Sequence, residues 1–197
     1  MGDVIANMSM SLDGFMEDAD GDVGRVFAWY RGGDEAVAMP GGAHEFRVSP
    51  QSAEHLRAGL AAAGALMCGR RLFDLTKGWG GRHPLDVPVF VVTHRAPGEW
   101  GHPEARFTFV TDGVASAVEQ AHAVAGDRAV MLASADITRQ CLDLGLVDMV
   151  TVDLVPVVLG AGTPFLAGVK APVRLDTPTV VQGHGVTHLS YRVLRDV

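Results

Sequence analysis

Cysteine is almost missing. Cys68 and Cys141 are the two in 197 residues, and their spacing matches neither a zinc site nor a disulfide framework, so both read as small core residues. Basic charge is scarce as well: 16 lysines and arginines against 23 aspartates and glutamates give a formal net charge of −7. That balance excludes a general nucleic-acid surface while leaving room for a local basic pocket. No apolar run approaches bilayer length, and Met1 to Ser11 carries no basic leader before an apolar core, which points to a cytoplasmic protein without membrane attachment. Internal repeats, low-complexity tracts and linkers are missing too. The chain therefore reads as a single domain, 1–197, long enough to bury a sizeable core. What is present is ordinary for a globular protein, with 48% apolar and 20% charged residues.

The apolar segments alternate in type along the chain. Asp3 to Met10 reads as a buried first strand ending in the turn Ser11-Leu12-Asp13-Gly14. From there to about Val48 the glycines and acids around Phe27, Trp29 and Tyr30 predict a long loop region with one short aromatic-anchored element. Ser49-Pro50 starts a helix with Ala53, Leu56, Leu60 and Ala63 on one face, closed by Gly64. Ala65 to Cys68 and Asp86 to Thr93 are further strands, the second apolar enough to be buried on both faces as in a parallel sheet. Phe107 to Val110 is another, followed by a helix capped at Asp112 with Val114, Ala117, Val118 and Ala121 inward. Val130 to Ala133 leads through Ser134 into a helix carrying Ile137, Cys141 and Leu144, stopped at Gly145. A long strand covers Val147 to Val158, with Pro156 requiring a missing partner or a bulge. Val173 to Val181 and Val186 to Leu194 form a C-terminal hairpin around Gln182-Gly183-His184-Gly185. The fold class is α/β: a mixed, mainly parallel central sheet flanked by helices, with a C-terminal antiparallel hairpin.

Chemistry collects where these strands end. Gly69-Arg70-Arg71 follows a strand; glycine lets backbone approach a phosphate, and a guanidinium can hold two phosphate oxygens at once. Taken alone, the tripeptide reads first as a solvated turn with two surface arginines. Thr93-His94-Arg95 closes the next strand, so the two ends could share one sheet edge and hold the 2′-phosphate of NADPH. Asn7, Ser9 and Ser11 alternate onto one strand face, opposite Met8 and Met10. Trp79-Gly80-Gly81-Arg82-His83-Pro84 is a loop that could cover a site with a stacking ring or simply fill a gap. His184 and His188 lie about 13 Å apart in an extended strand, too far to share an ion. No metal site and no nucleophilic triad is read from the sequence.

In their order, Met10-Ser11-Leu12-Asp13-Gly14, Cys68-Gly69-Arg70-Arg71, Val91-Val92-Thr93-His94-Arg95 and Leu154 to Gly162 resemble the dihydrofolate reductase-like superfamily, specifically the RibD C-terminal domain of bacterial riboflavin biosynthesis. The resemblance spans nearly the whole chain. It implies a dihydrofolate reductase-like sheet and NADPH as cofactor, with the adenosine half at Gly69, Arg70, Arg71, Thr93, His94 and Arg95. It implies pyrophosphate contact at Ser134 and Ala135, where relatives carry adjacent glycines and this chain has Ala133-Ser134-Ala135. Added β-carbons there would crowd a phosphate, Asp136 would repel it, and Ser134 could donate to it. The usual threonine of the arginine turn is replaced by Leu72, and a frequent glutamate by Met149. The resemblance also places the Ser11 to Gly14 turn near nicotinamide and substrate, making Asp13 the expected catalytic or proton-arranging group and Ser11 and Asp13 substrate contacts. Trp79, from the loop that could cover the site, is the third expected substrate contact.

These expectations amount to an NADPH-dependent reductase of a heteroaromatic, pteridine- or pyrimidine-like small molecule. The family's reference reaction is reduction of 5-amino-6-(5-phosphoribosylamino)uracil. The alternatives are a non-catalytic nucleotide- or ligand-binding protein with a degraded pyrophosphate turn, and a structural dimeric module. The free edge of the terminal hairpin suggests a homodimer under any of them.

Overall fold

The computed structural model describes residues 1–42, 44–98, 100–102 and 104–195. The chain forms β1 (Val4–Ser11), β2 (Phe15–Asp18), β3 (Glu35–Ala38), β4 (Glu45–Val48), α1 (Pro50–Ala62), β5 (Ala63–Gly69), α2 (Arg70–Leu75), β6 (Val89–Val92) and β7 (Phe107–Val110). There follow α3 (Val114–Ala125), β8 (Ala129–Leu132), α4 (Ala135–Asp143), β9 (Met149–Val155), β10 (Gly162–Pro164), β11 (Thr179–Gln182) and β12 (Thr187–Arg192). One eight-stranded sheet runs in the order β11-β12-β9-β1-β8-β5-β6-β7. From β9 to β7 all pairings are parallel, and β12 joins β9 antiparallel, with β11 beyond it. This is the mixed, mainly parallel sheet with a terminal hairpin that the sequence predicts. No helix among the described residues is long and apolar enough to cross a membrane.

Period-two alternation divides the sheet's residues between two faces. Val4 and Ala6 of β1, Ala65 and Met67 of β5, Val130 and Leu132 of β8, and Val150 and Val152 of β9 pack with α3 and α4 in one core. On the opposite face, Leu66 and Cys68 pack with Phe73 of α2 and Val89 and Val91 of β6. A third cluster gathers Trp29, Val37, Val48, Ala53 and Val155 beside α1. The face bearing α1 also receives Ile5, Asn7, Ser9, Thr151 and Asp153, which are not all apolar; that imbalance positions the site described below.

Several boundaries differ from expectation for local reasons. Helix α1 begins as predicted, with Ser49 Oγ accepting the Ser52 N–H and Pro50 opening the first turn, but it ends at Ala62. Gly64 lies inside β5, where a Cβ would come within 2.8 Å of Ala125 Cβ, so it serves the close approach of α3. Asp112 does not cap α3; Gly113, at φ 101°, occupies that position without a side-chain bond. Residues 15–48 are more ordered than a loop with one element. Strand β2 pairs with β10, β3 pairs with β4, and Trp29 anchors a 3-10 turn at Ala28–Arg31. Strand β9 stops at Val155, just before Pro156, because the missing amide ends the ladder. Leu144, expected inward, is exposed.

Candidate functional site

Two cavities open on the sheet and meet at Ala133, which lines both. The first, of about 590 Å³, lies beyond the carboxyl ends of β5, β6 and β8, the position at which open parallel sheets bind ligands. Gly69, Arg70, Arg71, Thr93, His94, Arg95, Ser134 and Ala135 all line it, together with Met16, Glu17, Val92, Asp136 and Thr163. The register explains this gathering: Gly69 sits opposite Val92, so the two arginine-bearing ends emerge side by side.

Its charges are unequally available. Arg70 is clamped by Asp74 at 2.8 and 2.9 Å and donates to the Arg95 carbonyl at 3.1 Å. Arg71 pairs with Glu17 at 2.9 Å. Thr163 and then Arg71 hold the Glu17 carboxyl below its ordinary range against the opposing cost of burial. The Arg95 guanidinium has no ion pair or hydrogen bond among the described residues, while its backbone is fixed by Thr93, whose Oγ1 donates to the Arg95 carbonyl at 3.0 Å. Arg95 is therefore a cation held ready for an anion.

At the start of α4, Ser134 makes no cap bond to its own helix. Its Oγ instead accepts the Gly69 N–H at 2.9 Å, so the hydroxyl proton remains to donate and the first-turn amides lack their usual cap. Ser134 has φ −147°, an extended backbone that needs no glycine. The expected repulsion from Asp136 is also reduced. Arg139 at 2.6 Å and Gln140 at 2.6 Å hold that carboxylate against its own helix, and the Arg139 bond, ahead of the others, keeps its pKa low. Thr138 and Arg139 stay out of the cavity: Thr138 is buried, and Arg139 is spent on Asp136 and Asp143.

The second cavity, of about 510 Å³, lies between the sheet and α1. Phe27, Tyr30, Met39, Phe46, Leu56, Leu60 and Met131 give it apolar and aromatic walls. Its floor is polar. In the sheet register Ser9 faces Asp153, which faces His188, and Asn7 faces Thr151, which faces Ser190. Two polar rows thus cross three adjacent strands. Asp153 Oδ1 lies 2.7 Å from His188 Nδ1, and His188 Nε2 lies 2.8 Å from Ser52 Oγ. The Trp29 indole donates to Ser9 Oγ at 3.0 Å. His55 stacks on His188 with ring centroids 4.2 Å apart. Burial, then the neighbouring His188, pushes the His55 imidazole below its ordinary range, while Asp153 pulls it upward. Burial, then the Asp153 charge, pushes the Tyr30 phenol upward.

The residues expected to contact substrate lie elsewhere. Ser11 is fully buried; its Oγ donates to Asp13 at 2.7 Å and accepts the Phe15 N–H at 2.9 Å. Asp13 further accepts the Leu159 and Gly160 amides at 3.1 and 2.7 Å. The Ser11 bond, ahead of these two, lowers its pKa to about 2 despite some desolvation. Its carboxylate staples two loops and lines neither cavity, so the group expected to arrange protons is already occupied by the protein. Trp79 also lies outside both cavities, packed edge-on against His83 at 4.4 Å within the aromatic cluster of α2 and β7. His83, from the same loop, does reach the second cavity. Gly162, in the glycine loop after β9, has a closely packed role, since a Cβ there would fall 1.9 Å from the Glu17 carbonyl oxygen.

Sequence reasoning missed Glu17, Ser52, His55, Asp153 and His188. His188 was compared with His184, yet its partners come from other elements. His55, Asp153 and His188 bring ligand-type atoms within 4.8 Å of one another. The available signal was Thr151-Val152-Asp153, a polar alternation inside an otherwise apolar strand.

A family model described as the RibD C-terminal domain matches residues 3–189. Among solved structures, one from Shewanella sp. PV-4, described provisionally as a riboflavin biosynthesis protein, superposes with TM-score 0.73 at 18% identity, covering 98% of this chain and 99% of that one. RibD of Acinetobacter baumannii gives 0.65 at 13% identity, covering 98% of this chain and 58% of its own. The Thermotoga maritima diaminohydroxyphosphoribosylaminopyrimidine deaminase/5-amino-6-(5-phosphoribosylamino)uracil reductase gives 0.61 at 13%, covering 98% and 57%. This chain thus spans less than three fifths of the latter two. At these identities the structural likeness shows the fold alone. No curated protein matches by sequence.

Proposed function

The chain belongs to the RibD C-terminal domain family, and we propose that it is an NADPH-dependent reductase of a flat, pteridine- or pyrimidine-like substrate. One observation carries this reading: a cationic cavity at parallel strand ends shares the wall residue Ala133 with an aromatic cavity floored by polar side chains. Such adjacency suits a reaction between two bound molecules held in contact.

The first cavity's residues fit a dinucleotide phosphate. Arg95 offers a guanidinium free of protein partners among the described residues, Ser134 a free hydroxyl proton, and α4 an uncapped first turn whose amides can face an anion. In this reading Arg95 holds the 2′-phosphate, with Arg70, Arg71, Thr93 and His94 around the adenosine half, and Ser134 and Ala135 beside the pyrophosphate. The bound dihydronicotinamide supplies a hydride. In the second cavity Phe27, Tyr30 and Phe46 enclose a flat ring, while Asn7, Thr151, Asp153 and His55 orient its polar edge. The family's reference reaction, reduction of an aminouracil ribose derivative, is the first substrate class to test. Pairing into a homodimer through the free β11 edge, where Val180 is exposed, belongs to the same proposal and is checked by light scattering.

Calorimetric titration of ligand-free protein with NADPH and NADH is the test, followed by a turnover screen of pterins and aminopyrimidines. Saturable binding that prefers NADPH, with turnover of a screened compound, supports the reading. Binding without turnover on any of them favours a non-catalytic ligand-binding protein, and no binding of either cofactor refutes the reductase.

A further inference from the structure

Beneath the second cavity the polar side chains form a continuous donor-acceptor chain. Ser49 Oγ donates to Ser52 Oγ at 3.1 Å, Ser52 Oγ bonds His188 Nε2 at 2.8 Å, and His188 Nδ1 bonds Asp153 Oδ1 at 2.7 Å. One protonation pattern satisfies every link: the Ser52 hydroxyl donates to Nε2, and Nδ1–H donates to the carboxylate. The chain starts at half-buried Ser49 and ends at Asp153 on the cavity floor. Between them His188 and Ser52 are each 1% exposed. The imidazole lies between His55, stacked on one side, and Trp29, edge-on with ring centroids 5.0 Å apart.

We propose that Ser49, Ser52, His188 and Asp153 form a proton-delivery chain that supplies the second cavity during reduction. The proposal rests on the reductase reading above. Hydride adds to the carbon of a C=N or C=O bond, whose π electrons move onto nitrogen or oxygen. That atom takes a proton from Asp153, which receives the Nδ1 proton of His188. His188 Nε2 takes the Ser52 proton, Ser52 takes that of Ser49, and Ser49 is recharged from water, so one hydride and one proton leave the protein's ligands and solvent for each product. Between turnovers the neutral imidazole turns about Cβ–Cγ and the hydroxyls rotate, which returns the proton to the Asp153 side and restores the starting pattern. Asp153 is the group that meets the substrate; His188 and Ser52 act through it.

The same atoms suggest two other functions that the packing opposes. A serine-histidine-aspartate arrangement can activate serine as a nucleophile, but Gly183 covers Ser52 so closely that a Cβ there would lie 2.2 Å from its Oγ. No substrate reaches it. A divalent ion on His55, Asp153 and His188 would need both rings' nitrogen lone pairs to converge. The rings are instead stacked with planes 20° apart, so those lone pairs run side by side, and both His188 nitrogens are already bonded.

The experiment compares two hydride acceptors with saturating NADPH. 7,8-Dihydropterin needs hydride at carbon and a proton at nitrogen; N-methylacridinium needs hydride alone. Removing the hydroxyl link with Ser52→Ala should lower the ratio of dihydropterin to acridinium rates by about a hundredfold, the low end of general acid-base effects. Asp153→Asn should lower it further. NADPH titration and the thermal midpoint verify that each variant is folded. An unchanged ratio overturns the relay and leaves the reductase standing. If the wild-type protein reduces acridinium and not dihydropterin, no proton is being delivered, and the relay is likewise overturned. If it reduces dihydropterin alone, the Ser52→Ala rate on that compound decides by the same criterion. Reduction of neither compound, together with no turnover of any screened pterin or aminopyrimidine, removes the reductase reading and the relay with it. Where an aminopyrimidine is turned over instead, an unchanged Ser52→Ala rate on it overturns the relay and a loss of about a hundredfold supports it.

Discussion

Replacing Arg95 by alanine isolates the one cavity arginine whose guanidinium has no protein partner among the described residues. Nothing else in the loop depends on that side chain. Thr93 Oγ1 and the Arg70 guanidinium both bond the Arg95 carbonyl, at 3.0 and 3.1 Å, so the backbone stays in place when the side chain goes. The thermal midpoint should therefore hold, as for other exposed substitutions, to within about 0.5 kcal/mol of stability. A hydrogen bond to a charged group contributes about 1.5–3 kcal/mol, which is roughly a 10- to 150-fold weaker NADPH dissociation constant. NADH, lacking the 2′-phosphate, should change about twofold or less on the same scale. Because the site is exposed and ionic screening acts over about 10 Å at 0.1 M salt, the NADPH penalty should shrink as salt rises. Calorimetry at low and moderate salt, with both cofactors and both proteins, gives all the numbers needed. Equal losses for NADPH and NADH, or no loss for either, would refute the assignment of Arg95 to the 2′-phosphate.

Three further outcomes follow from geometry. Asp13→Asn should lower the thermal midpoint at neutral pH. The stability that ionised Asp13 supplies is fully present above its unfolded pKa near 4 and is lost as pH falls toward about 2, so the wild-type and variant midpoints should converge in acid; parallel curves would sink the idea. Gly162→Ala, at φ 147° and against the Glu17 carbonyl, should cost about 1–3 kcal/mol in urea unfolding, and a neutral result would show that the β2–β10 contact is looser than described. Burial pushes His83 down to about 4, and its Nδ1 accepts the Leu85 N–H at 3.1 Å. The unfolded state then binds the extra proton between about pH 6.5 and 4, so stability is full above that window and falls through it, by at most about 3 kcal/mol. An imidazole resonance titrating near 6.5 in the folded protein would contradict this.

The architecture was legible because its signals are local. Val89 to Val92 is apolar without interruption, Ser49-Pro50 is a helix start, and the strand ends carry their arginines in plain view, so the first cavity's lining follows from the order of strands. Asp13 illustrates the opposite case. An Asp-Gly turn beside polar residues reads equally as a ligand anchor or a loop staple, and the amides it accepts come from residues 159 and 160, 146 positions or more away. The polar floor of the second cavity was hidden for the same reason. Ser52, Asp153 and His188 belong to a helix, a central strand and a terminal strand, and only the register of β9 with β12 brings them into one row. Spacing along the chain, which made His184 and His188 look like the pair to judge, carries no information about neighbours across a sheet.

That row also disciplines folding. A slip of one residue in β9 would turn Asp153 toward Val4, Ala6, Ala65 and the helices α3 and α4, and bring Val152 to the cavity. A carboxylate moved into that apolar layer without His188 would meet a desolvation cost of several kcal/mol or more, a larger error signal than a misplaced methyl group could give. Misaligned pairings of the central strands are thereby made far less competitive with the native one, and the side chains that give the cavity its chemistry double as the marks by which the strands find their places.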